Sequence, residues 1–372
     1  MKILICFGTR PEAIKMAPIC LELAKQQVSF KVCVTGQHRE MLDQVLEFFE
    51  ITPDYDLNLM KPNQSLNELS SRILKEMGAI FKKHSFDLVL VHGDTTTSMM
   101  ASLAAFHSGV KVGHVEAGLR TYNKLSPFPE ELNRQLTTRI ADFHFAPTKK
   151  AVSNLINEDV NKESIIITGN TVIDALFFTL KKLKNNFKTN DIVKLQKQLN
   201  FSKKIILVTG HRRESFGKGF ENVSSALLEI SKREDIELVY PVHLNPNVQK
   251  PVNKLLNGKS NIHLIPPLDY PSFVWLMNKS SLIISDSGGI QEEAPSLNIP
   301  VLVTRDTTER YEGVAMNCSI LVGTNKTKIV KEAHKILNTT KKQVFKNPYG
   351  DGKASEIIVN YICKLLLNNS SE

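Results

Sequence analysis

Short apolar segments alternate with longer amphipathic segments along almost the whole chain. The apolar segments are rich in Val, Ile and Leu and lack strict alternation, a pattern typical of parallel strands covered by helices on both faces. Strands are expected at Lys2–Phe7, Phe30–Thr35, Leu88–His92, Val110–Val115, Phe143–Ala146 and Ser164–Thr168. A second series is expected at Lys204–Thr209, Ile236–Val242, Ile262–Ile265, Leu282–Ser285, Pro300–Thr304 and Ser319–Val322. The alternation predicts an α/β protein with doubly wound sheets.

Helical patterns lie between the expected strands. The clearest are Glu12–Lys25, Arg39–Phe49, Leu66–Lys83 and Thr96–His107. A Lys- and Asn-rich stretch from about residue 173 to residue 202 interrupts the series, and we interpret it as a crossover between two halves. Each half then carries roughly six strands, as a Rossmann-like sheet does. A chain of 372 residues also exceeds what one compact core usually serves, so two domains are expected.

Composition and charge narrow the classes of function. The net charge is +9, but the basic residues are not clustered and aromatic residues make up only 7%, which argues against a nucleic-acid partner. No apolar run approaches the roughly 20 residues that span a bilayer, so no membrane association is expected. The five cysteines are scattered and form no C-x-x-C pair, which predicts a cytoplasmic protein without a disulfide framework or a zinc site.

Ligands of open α/β sheets lie beyond the carboxyl ends of the strands, so the residues that follow the strands are the candidates. Arg10 and Lys15 follow the first strand at a helix start, where an anion is favoured. Asp94 follows the third strand and has two possible roles. It could be the N-cap of the next helix, or Thr95 or Thr96 could be the N-cap and leave Asp94 for chemistry. No G-x-G-x-x-G fingerprint is present, so no dinucleotide cofactor is predicted.

Three further acids follow in the first half. By strand alternation, His114 and Glu116 are expected to share one face. His92 with Asp94 and His114 with Glu116 form an H-x-D and an H-x-E pair, but these pairs lack a third clustered ligand, so no metal site is predicted. Glu130 and Glu131 come directly after Pro129 at a helix start, and for Glu131 the helix-start role is the stronger interpretation.

The second half offers two candidate phosphate sites. His211, followed by two arginines, comes directly after a strand, but the P-loop spacing fails. The segment Ser287, Gly288 and Gly289 follows another strand and opens a helix, where backbone N–H groups can bind phosphate. Glu293 lies about one turn into that helix, placed for ribose hydroxyls.

Eight motifs occur in a fixed order: FGTRPEAIKMAP, HGDTTT, HVEAGLRT, PFPEELNR, TGHRRES, SDSGGIQEEAP, RDTTER and NPYGDGKA. In these motifs, across nearly the whole chain, the protein resembles the non-hydrolysing UDP-N-acetylglucosamine 2-epimerases. The resemblance implies a GT-B-like fold of two Rossmann-like domains facing a cleft that closes on UDP, with a C-terminal helix, about Ala354–Leu367, crossing back. The expected domains are residues 1–170 with about 353–372, and residues 171–352.

The resemblance also implies a reaction, the interconversion of UDP-N-acetylglucosamine and UDP-N-acetylmannosamine. UDP would leave to give 2-acetamidoglucal and then add back, without a cofactor. Carboxylates would move the C2 proton and cations would hold UDP. The expected catalytic residues are Asp94, Glu116, Glu130 and His211. The expected substrate-binding residues are Arg10, Lys15, Phe273, Ser287, Gly288, Gly289, Glu293 and Arg310.

Some positions depart from the family pattern. Tyr311 stands where proline is usual after Thr-Glu-Arg, and Leu268 where some members carry glutamine. Gln37, His38 and Gln64 match a regulatory site for a second UDP-N-acetylglucosamine, but Asn63 replaces an arginine found in some members. A homodimer is expected. Epimerisation of a related UDP-sugar, such as a diacetamido uronic acid, and a hydrolysing activity that releases free N-acetylmannosamine remain alternatives.

Overall fold

The computed structural model describes residues 2–36, 39–61, 64–210, 212, 216–339 and 344–369. The chain forms two compact units, one of Met1–Phe178 with Tyr349–Glu372 and the other of Thr179–Pro348. The division therefore lies a few residues after the expected boundary at 170 and a few before the one at 352. The first observed boundary, between Phe178 and Thr179, falls inside a continuous helix, Thr171–Lys184. The sequence pattern did not predict this helix.

The first unit contains a parallel sheet of seven strands in the order β3-β2-β1-β4-β5-β6-β7. The strands are β1 (Ile3–Phe7), β2 (Phe30–Val34), β3 (Tyr55–Asp56), β4 (Leu88–His92), β5 (Lys111–Val115), β6 (Phe143–Ala146) and β7 (Ile165–Ile167). All six strands expected in this half are confirmed. The additional strand, β3, is a two-residue strand at the sheet edge, too short to give an apolar pattern.

Helices cover both faces of this sheet. They are α1 (Arg10–Lys25), α2 (Arg39–Phe49), α3 (Leu66–Lys83), α4 (Thr96–His107), α5 (Glu130–Ile140), α6 (Lys149–Asn157), α7 (Thr171–Lys184) and, from the chain end, α15 (Ala354–Asn369). The buried core on one face joins the strands to α3 and α4 through Ile73, Met77 and Ala101, among others. The start of α15 is held by α7, because the carboxylate of Asp174 accepts hydrogen bonds from the backbone of Ser355 at 2.8 Å and Ala354 at 3.2 Å.

The second unit contains a parallel sheet of six strands in the order β10-β9-β8-β11-β12-β13. The strands are β8 (Lys204–Thr209), β9 (Ile236–Pro241), β10 (Ile262–Ile265), β11 (Ser280–Ser285), β12 (Val301–Val303) and β13 (Ser319–Leu321). The helices are α8 (Asn190–Gln198), α9 (Lys218–Ile230), α10 (Pro246–Leu256), α11 (Tyr270–Lys279), α12 (Gly288–Glu293), α13 (Tyr311–Ala315) and α14 (Lys326–Asn338). All six expected strands are confirmed, and so is the α/β class with two doubly wound, Rossmann-like units.

The stretch interpreted as a crossover, residues 173–202, contains most of α7 and the whole of α8. All five cysteines are free. Within the described ranges, every helix is too short or too polar to cross a bilayer.

Candidate active site

The carboxyl ends of β1, β4 and β5 lie at one edge of the first sheet, because the three strands are parallel and adjacent. One buried carboxylate, that of Glu12 in α1, links the loop after β1 to the loop after β4. It accepts hydrogen bonds from the backbone of Gly8 at 3.0 Å and Thr9 at 2.8 Å. It also accepts from the hydroxyls of Thr95 at 2.6 Å and Ser98 at 3.1 Å. The loop after β1 and the loop after β4 therefore form one rigid edge.

Glu116 follows β5 directly and has a backbone φ of +63°, a left-handed conformation that is costly for a residue with a side chain. Polar groups from several elements contact its carboxylate. Lys15 Nζ and Asn170 Nδ2 both donate to Oε2, the second at 2.7 Å, and His92 Nε2 lies 3.7 Å from the same oxygen. The carboxylate is thus nearly buried, with a fixed direction and a cation beside it.

His114 does not share this environment, so the expectation based on strand alternation is wrong. The strand ends at Val115, and the left-handed backbone of Glu116 breaks the alternation. His114 Nε2 lies 2.7 Å from the carbonyl oxygen of Gly93. Burial lowers the pKa of His114 to about 3, so the imidazole is neutral at physiological pH. Among the described histidines, His92 is the one that lies beside Glu116.

Asp94 is free of a helix-capping role, as one of the two sequence interpretations predicts. Thr95 is the N-cap of α4, and its hydroxyl accepts from the backbone of Ser98. The carboxylate of Asp94 accepts from Arg134, and its backbone carbonyl accepts from Asn133 Nδ2 at 2.9 Å. Two neighbouring residues of α5 therefore hold Asp94 in place.

Gly93 joins β4 to Asp94 and lies beside Glu116, since a Cβ built on it would be 3.7 Å from Glu116 Oε1. Gly93 has a φ of +65°, which glycine adopts without strain. The carboxylate of Glu116 is therefore next to the loop that carries Asp94.

Glu130 is the first residue of α5 and precedes Arg134 by one turn, so both lie on one face of the helix. Its Oε2 is buried without a hydrogen-bond partner among the described residues. Glu131 is fully buried and accepts from the backbone N–H groups of Thr121 and Tyr122, both at 3.0 Å. The helix-start role expected for Glu131 is confirmed, because it lies in the first turn of α5 and holds the loop that precedes this helix.

The two cationic candidates after β1 have different positions. Arg10 is the first residue of α1, behind the N-cap Thr9. Lys15 lies one turn further, nearly buried, with its ammonium against Glu116. The structure thus places Lys15 with an acid, whereas the sequence predicts it among the cations that bind UDP.

In the second unit, Ser287, Gly288 and Gly289 form the loop and first turn of α12, directly after β11. The backbone N–H of Ser287 donates to Ser285 Oγ at 2.9 Å, and that hydroxyl lies 2.7 Å from Thr209 Oγ1. The loop is therefore anchored to the ends of β11 and β8.

Arg310 packs over this loop. A Cβ built on Gly288 would lie 2.9 Å from its guanidinium carbon, so only glycine permits this approach. Arg310 Nε donates to Glu292 Oε1 at 3.0 Å. Burial raises the pKa of neighbouring Glu309, but the positive charges of Arg310 and Arg305 outweigh it and hold that pKa at about 2. Glu309 is thus ionised beside the loop.

The other nucleotide-side candidates lie on α11 and α12. Glu293 is buried, and its Oε1 accepts from the hydroxyl of Tyr270 at 2.9 Å. Phe273 is half-buried, one turn after the N-cap Asp269. Leu268, the departure noted above, is buried next to this helix.

Some predicted residues are not brought into these groups. His211 and the regulatory candidates Gln37 and His38 lie outside the described residues. Gln64 accepts from Arg72 and donates to the thioether of Met60 at 3.4 Å.

Sequence reasoning missed Asn170 and Arg134, which hold the two acids Glu116 and Asp94. Asn170 follows β7, so the rule that directs attention to residues after strands could have found it. Arg134 lies one turn inside α5 and ends the motif PFPEELNR, so the motif could have pointed to it, although its position after a strand could not.

Comparisons with known proteins identify the family. Residues 21–363 match the family model described as UDP-N-acetylglucosamine 2-epimerase. A Campylobacter jejuni protein named UDP-N-acetylglucosamine 2-epimerase is 53% identical, with 99% of each chain covered. The crystal structure of a Neisseria meningitidis UDP-GlcNAc 2-epimerase bound to UDP-GlcNAc is 51% identical, with a TM-score of 0.89 and coverage of 98% of this chain and 100% of that one. A Methanocaldococcus jannaschii UDP-GlcNAc 2-epimerase, in complex with UDP-GlcNAc and UDP, is 34% identical, with a TM-score of 0.83 and the same coverage.

Proposed function

This chain belongs to the UDP-N-acetylglucosamine 2-epimerase family, and we propose that it interconverts UDP-N-acetylglucosamine and UDP-N-acetylmannosamine by inverting C2. The observation that carries the proposal is the group of acids at one sheet edge of the first unit. Glu116 is oriented by Lys15 and Asn170, and Asp94 is held by Arg134. Two carboxylates held in fixed directions suit the removal and return of one proton.

The reaction needs departure of UDP because the C2 proton has no neighbouring carbonyl to acidify it. As the bond between C1 and the phosphate oxygen breaks, its electron pair leaves with UDP and C1 becomes electron-poor. A carboxylate then takes the C2 proton, and the electrons of the C–H bond form the C1=C2 double bond of 2-acetamidoglucal. Re-addition of UDP to C1 and return of a proton to the other face of C2 complete the inversion.

We assign the proton transfers to Asp94, Glu116 and Glu130. Glu130 supports this assignment through its buried carboxylate oxygen, which has no partner among the described residues. The side-chain nitrogen of Lys15 lies against the carboxylate of Glu116, and a neighbouring cationic side chain favours the ionised, basic form of an acid. His211 remains a candidate acid or base by the family pattern alone.

We assign UDP binding to the loop Ser287–Gly289 and to Arg310, Glu293 and Phe273, with Arg10 as a further cation. Arg310 supports this assignment because its guanidinium lies directly over Gly288. A guanidinium is well suited to phosphate oxygens. The carboxylate of Glu293, oriented by the hydroxyl of Tyr270, can accept hydrogen bonds from ribose hydroxyls.

The test is incubation with UDP-N-acetylglucosamine in D2O, followed by NMR of the products. We expect deuterium at C2 of both UDP-N-acetylglucosamine and UDP-N-acetylmannosamine. Release of free N-acetylmannosamine and UDP would indicate hydrolysis instead. Recovery of both sugars without deuterium at C2 would contradict the proposal, and a parallel reaction with a diacetamido uronic acid substrate would reveal a different preference.

We further propose a cytoplasmic homodimer. The five free cysteines support the compartment, since they suit a reducing environment. Leu132 and Leu136, one turn apart on α5, are each 41% exposed and support a self-association surface in the first unit. Sedimentation equilibrium tests the oligomeric state. Binding of a second UDP-N-acetylglucosamine at Gln37, His38 and Gln64 is proposed from the family pattern, and sigmoidal kinetics would reveal it.

A further inference from the structure

Asn170 is a buried amide in contact with Glu116, outside the motifs that the sequence marks for chemistry. It is 3% exposed. Its Nδ2 donates to Glu116 Oε2 at 2.7 Å, and its Oδ1 accepts from the backbone N–H of Val172 at 3.0 Å. An amide has one accepting end and one donating end. Because the N–H of Val172 requires the oxygen, the nitrogen is fixed in the direction of the carboxylate.

The backbone of Asn170 is fixed as well. Its N–H donates to the carbonyl oxygen of Tyr349 at 2.7 Å, where the chain returns to the first unit. The preceding residue, Gly169, has a φ of +85°, and a Cβ there would lie 3.3 Å from the Tyr349 oxygen. The returning segment therefore closes over Asn170 and prevents it from moving away from Glu116.

Glu116 needs such support because its left-handed backbone directs the side chain away from the regular path of β5. Among the described residues, Lys15 from α1, His92 from β4 and Asn170 contact its carboxylate. Lys15 and His92 are basic residues. Asn170 has no charge and cannot titrate, so it fixes direction without altering the proton affinity through a net charge.

We infer that Asn170 is a positioning residue, which aims the carboxylate of Glu116 for proton transfer at C2 of the sugar. This inference rests on the proposed epimerase function. A helix-start role alone would explain the hydrogen bond that Asn170 Oδ1 accepts from the N–H of Val172. It would not explain the hydrogen bond that Nδ2 donates to Glu116. Aspartate serves a helix start as well as asparagine does, so a helix-start role alone would tolerate Asn170→Asp.

The chain contains a matched control. Asn161 Oδ1 accepts from the backbone N–H of Glu163 at 3.0 Å, the same i to i+2 contact at the same distance, at an exposed position in the same unit. Asn161→Asp therefore makes the identical chemical change without affecting a catalytic acid.

The experiment measures kcat, KM, the pH profile of kcat, UDP binding and melting temperature for Asn170→Asp, Asn170→Ser and Asn161→Asp. In Asn170→Asp we expect kcat to fall about 10- to 100-fold, because the carboxylate of Glu116 loses the donor that fixes its direction. UDP affinity should remain within about twofold, because UDP is assigned to other residues. The introduced carboxylate faces Glu116, so the acidic limb of the profile should move up by about one pH unit or more.

Asn170→Ser keeps a short oxygen at the helix start but does not reach Glu116. We expect a similar loss of kcat, an unmoved acidic limb and a melting temperature near the wild-type value. Asn161→Asp should match the wild type in every readout. A helix-start role alone would instead leave kcat, the acidic limb and the melting temperature near the wild-type values in both Asn170 variants, and that result would overturn the inference.

Wild-type deuterium incorporation at C2 separates the two claims. If the wild-type protein does not exchange, the proposed function fails and this role fails with it. If the wild type exchanges and Asn170→Asp keeps the wild-type kcat and pH profile, only the role of Asn170 fails.

Discussion

Glu12 and Thr95 are 83 residues apart in the chain, yet the hydroxyl of Thr95 donates to the carboxylate of Glu12 at 2.6 Å. Glu12 also satisfies the backbone N–H groups of Gly8 and Thr9, in the first turn after β1. One buried acid thus joins the loops that carry Arg10 and Asp94.

We expect Glu12→Ala to lower the free energy of unfolding by about 3 kcal/mol or more, because it leaves several buried donors without an acceptor. Urea unfolding monitored by circular dichroism measures the change. Glu47→Ala, on the exposed face of α2, is the control and should stay within about 0.5 kcal/mol of wild type. Equal stability of the two variants would contradict the role given to Glu12.

Asp94→Asn should abolish deuterium incorporation at C2, because an amide cannot accept the proton. UDP affinity, measured by isothermal titration calorimetry, should remain measurable because Asp94 is not among the residues assigned to the nucleotide. Asp142→Asn is the matched control, since Asp142 only accepts from the backbone of Val112 at 2.7 Å. Wild-type exchange in Asp94→Asn would remove Asp94 from the mechanism.

Arg310→Gln should weaken UDP binding about 10-fold or more, since it removes a cation placed over the Gly288 turn. The control is Arg233→Gln, in the same unit, where Arg233 only pairs with exposed Asp235 at 2.7 Å and bonds Asn338 at 2.8 Å. Titration calorimetry with UDP compares the two. Equal affinities would show that Arg310 does not contact the nucleotide.

Gly118→Ala should destabilise the fold by about 3 kcal/mol or more. Gly118 has a φ of +91°, and a Cβ on it would lie 2.4 Å from the carbonyl oxygen of Ala151. Gly109→Ala is the control, because its φ of +70° is similarly unusual but nothing lies within 4 Å of the added carbon. That variant should lose only about 1 kcal/mol. Thermal unfolding measures both, and equal losses would show that the contact with Ala151 is unimportant.

His114 makes stability depend on pH. Burial lowers its pKa from 6.5 to about 3 in the folded protein, so between these values the unfolded chain binds a proton that the folded protein does not. Its contribution is complete above pH 6.5 and decreases by up to about 1.4 kcal/mol per pH unit as the pH falls toward 3. Burial lowers the pKa of His144 as well, in the same direction.

His114→Gln should therefore flatten the dependence of unfolding free energy on pH between about 6.5 and 4, whatever it does to stability at pH 7. Urea unfolding at several pH values measures the slope. His107→Gln, at an exposed position at the end of α4, should keep the wild-type slope. An unchanged slope in His114→Gln would mean that this imidazole is protonated in the folded protein.

The sequence by itself determined the twelve main strands and several of the helices between them, but not α7 and α8. Burial on both faces of a parallel sheet requires continuous apolar segments, and these can be recognised one at a time. It also determined which loops carry chemistry, because residues after parallel strands share one edge. Family motifs then supplied the reaction. What the local pattern could not supply was β3, whose two residues, Tyr55 and Asp56, form a strand only because β2 lies beside them.

Only the tertiary structure decided which side chains meet. The left-handed backbone of Glu116 turned it away from His114 and toward Lys15 and Asn170, which are 101 and 54 residues distant in the chain. Such partners depend on φ at a single residue and on how separate elements pack. A short segment of sequence does not determine which distant residues come into contact. It can determine a strand or a helix start, because these depend mainly on neighbouring residues.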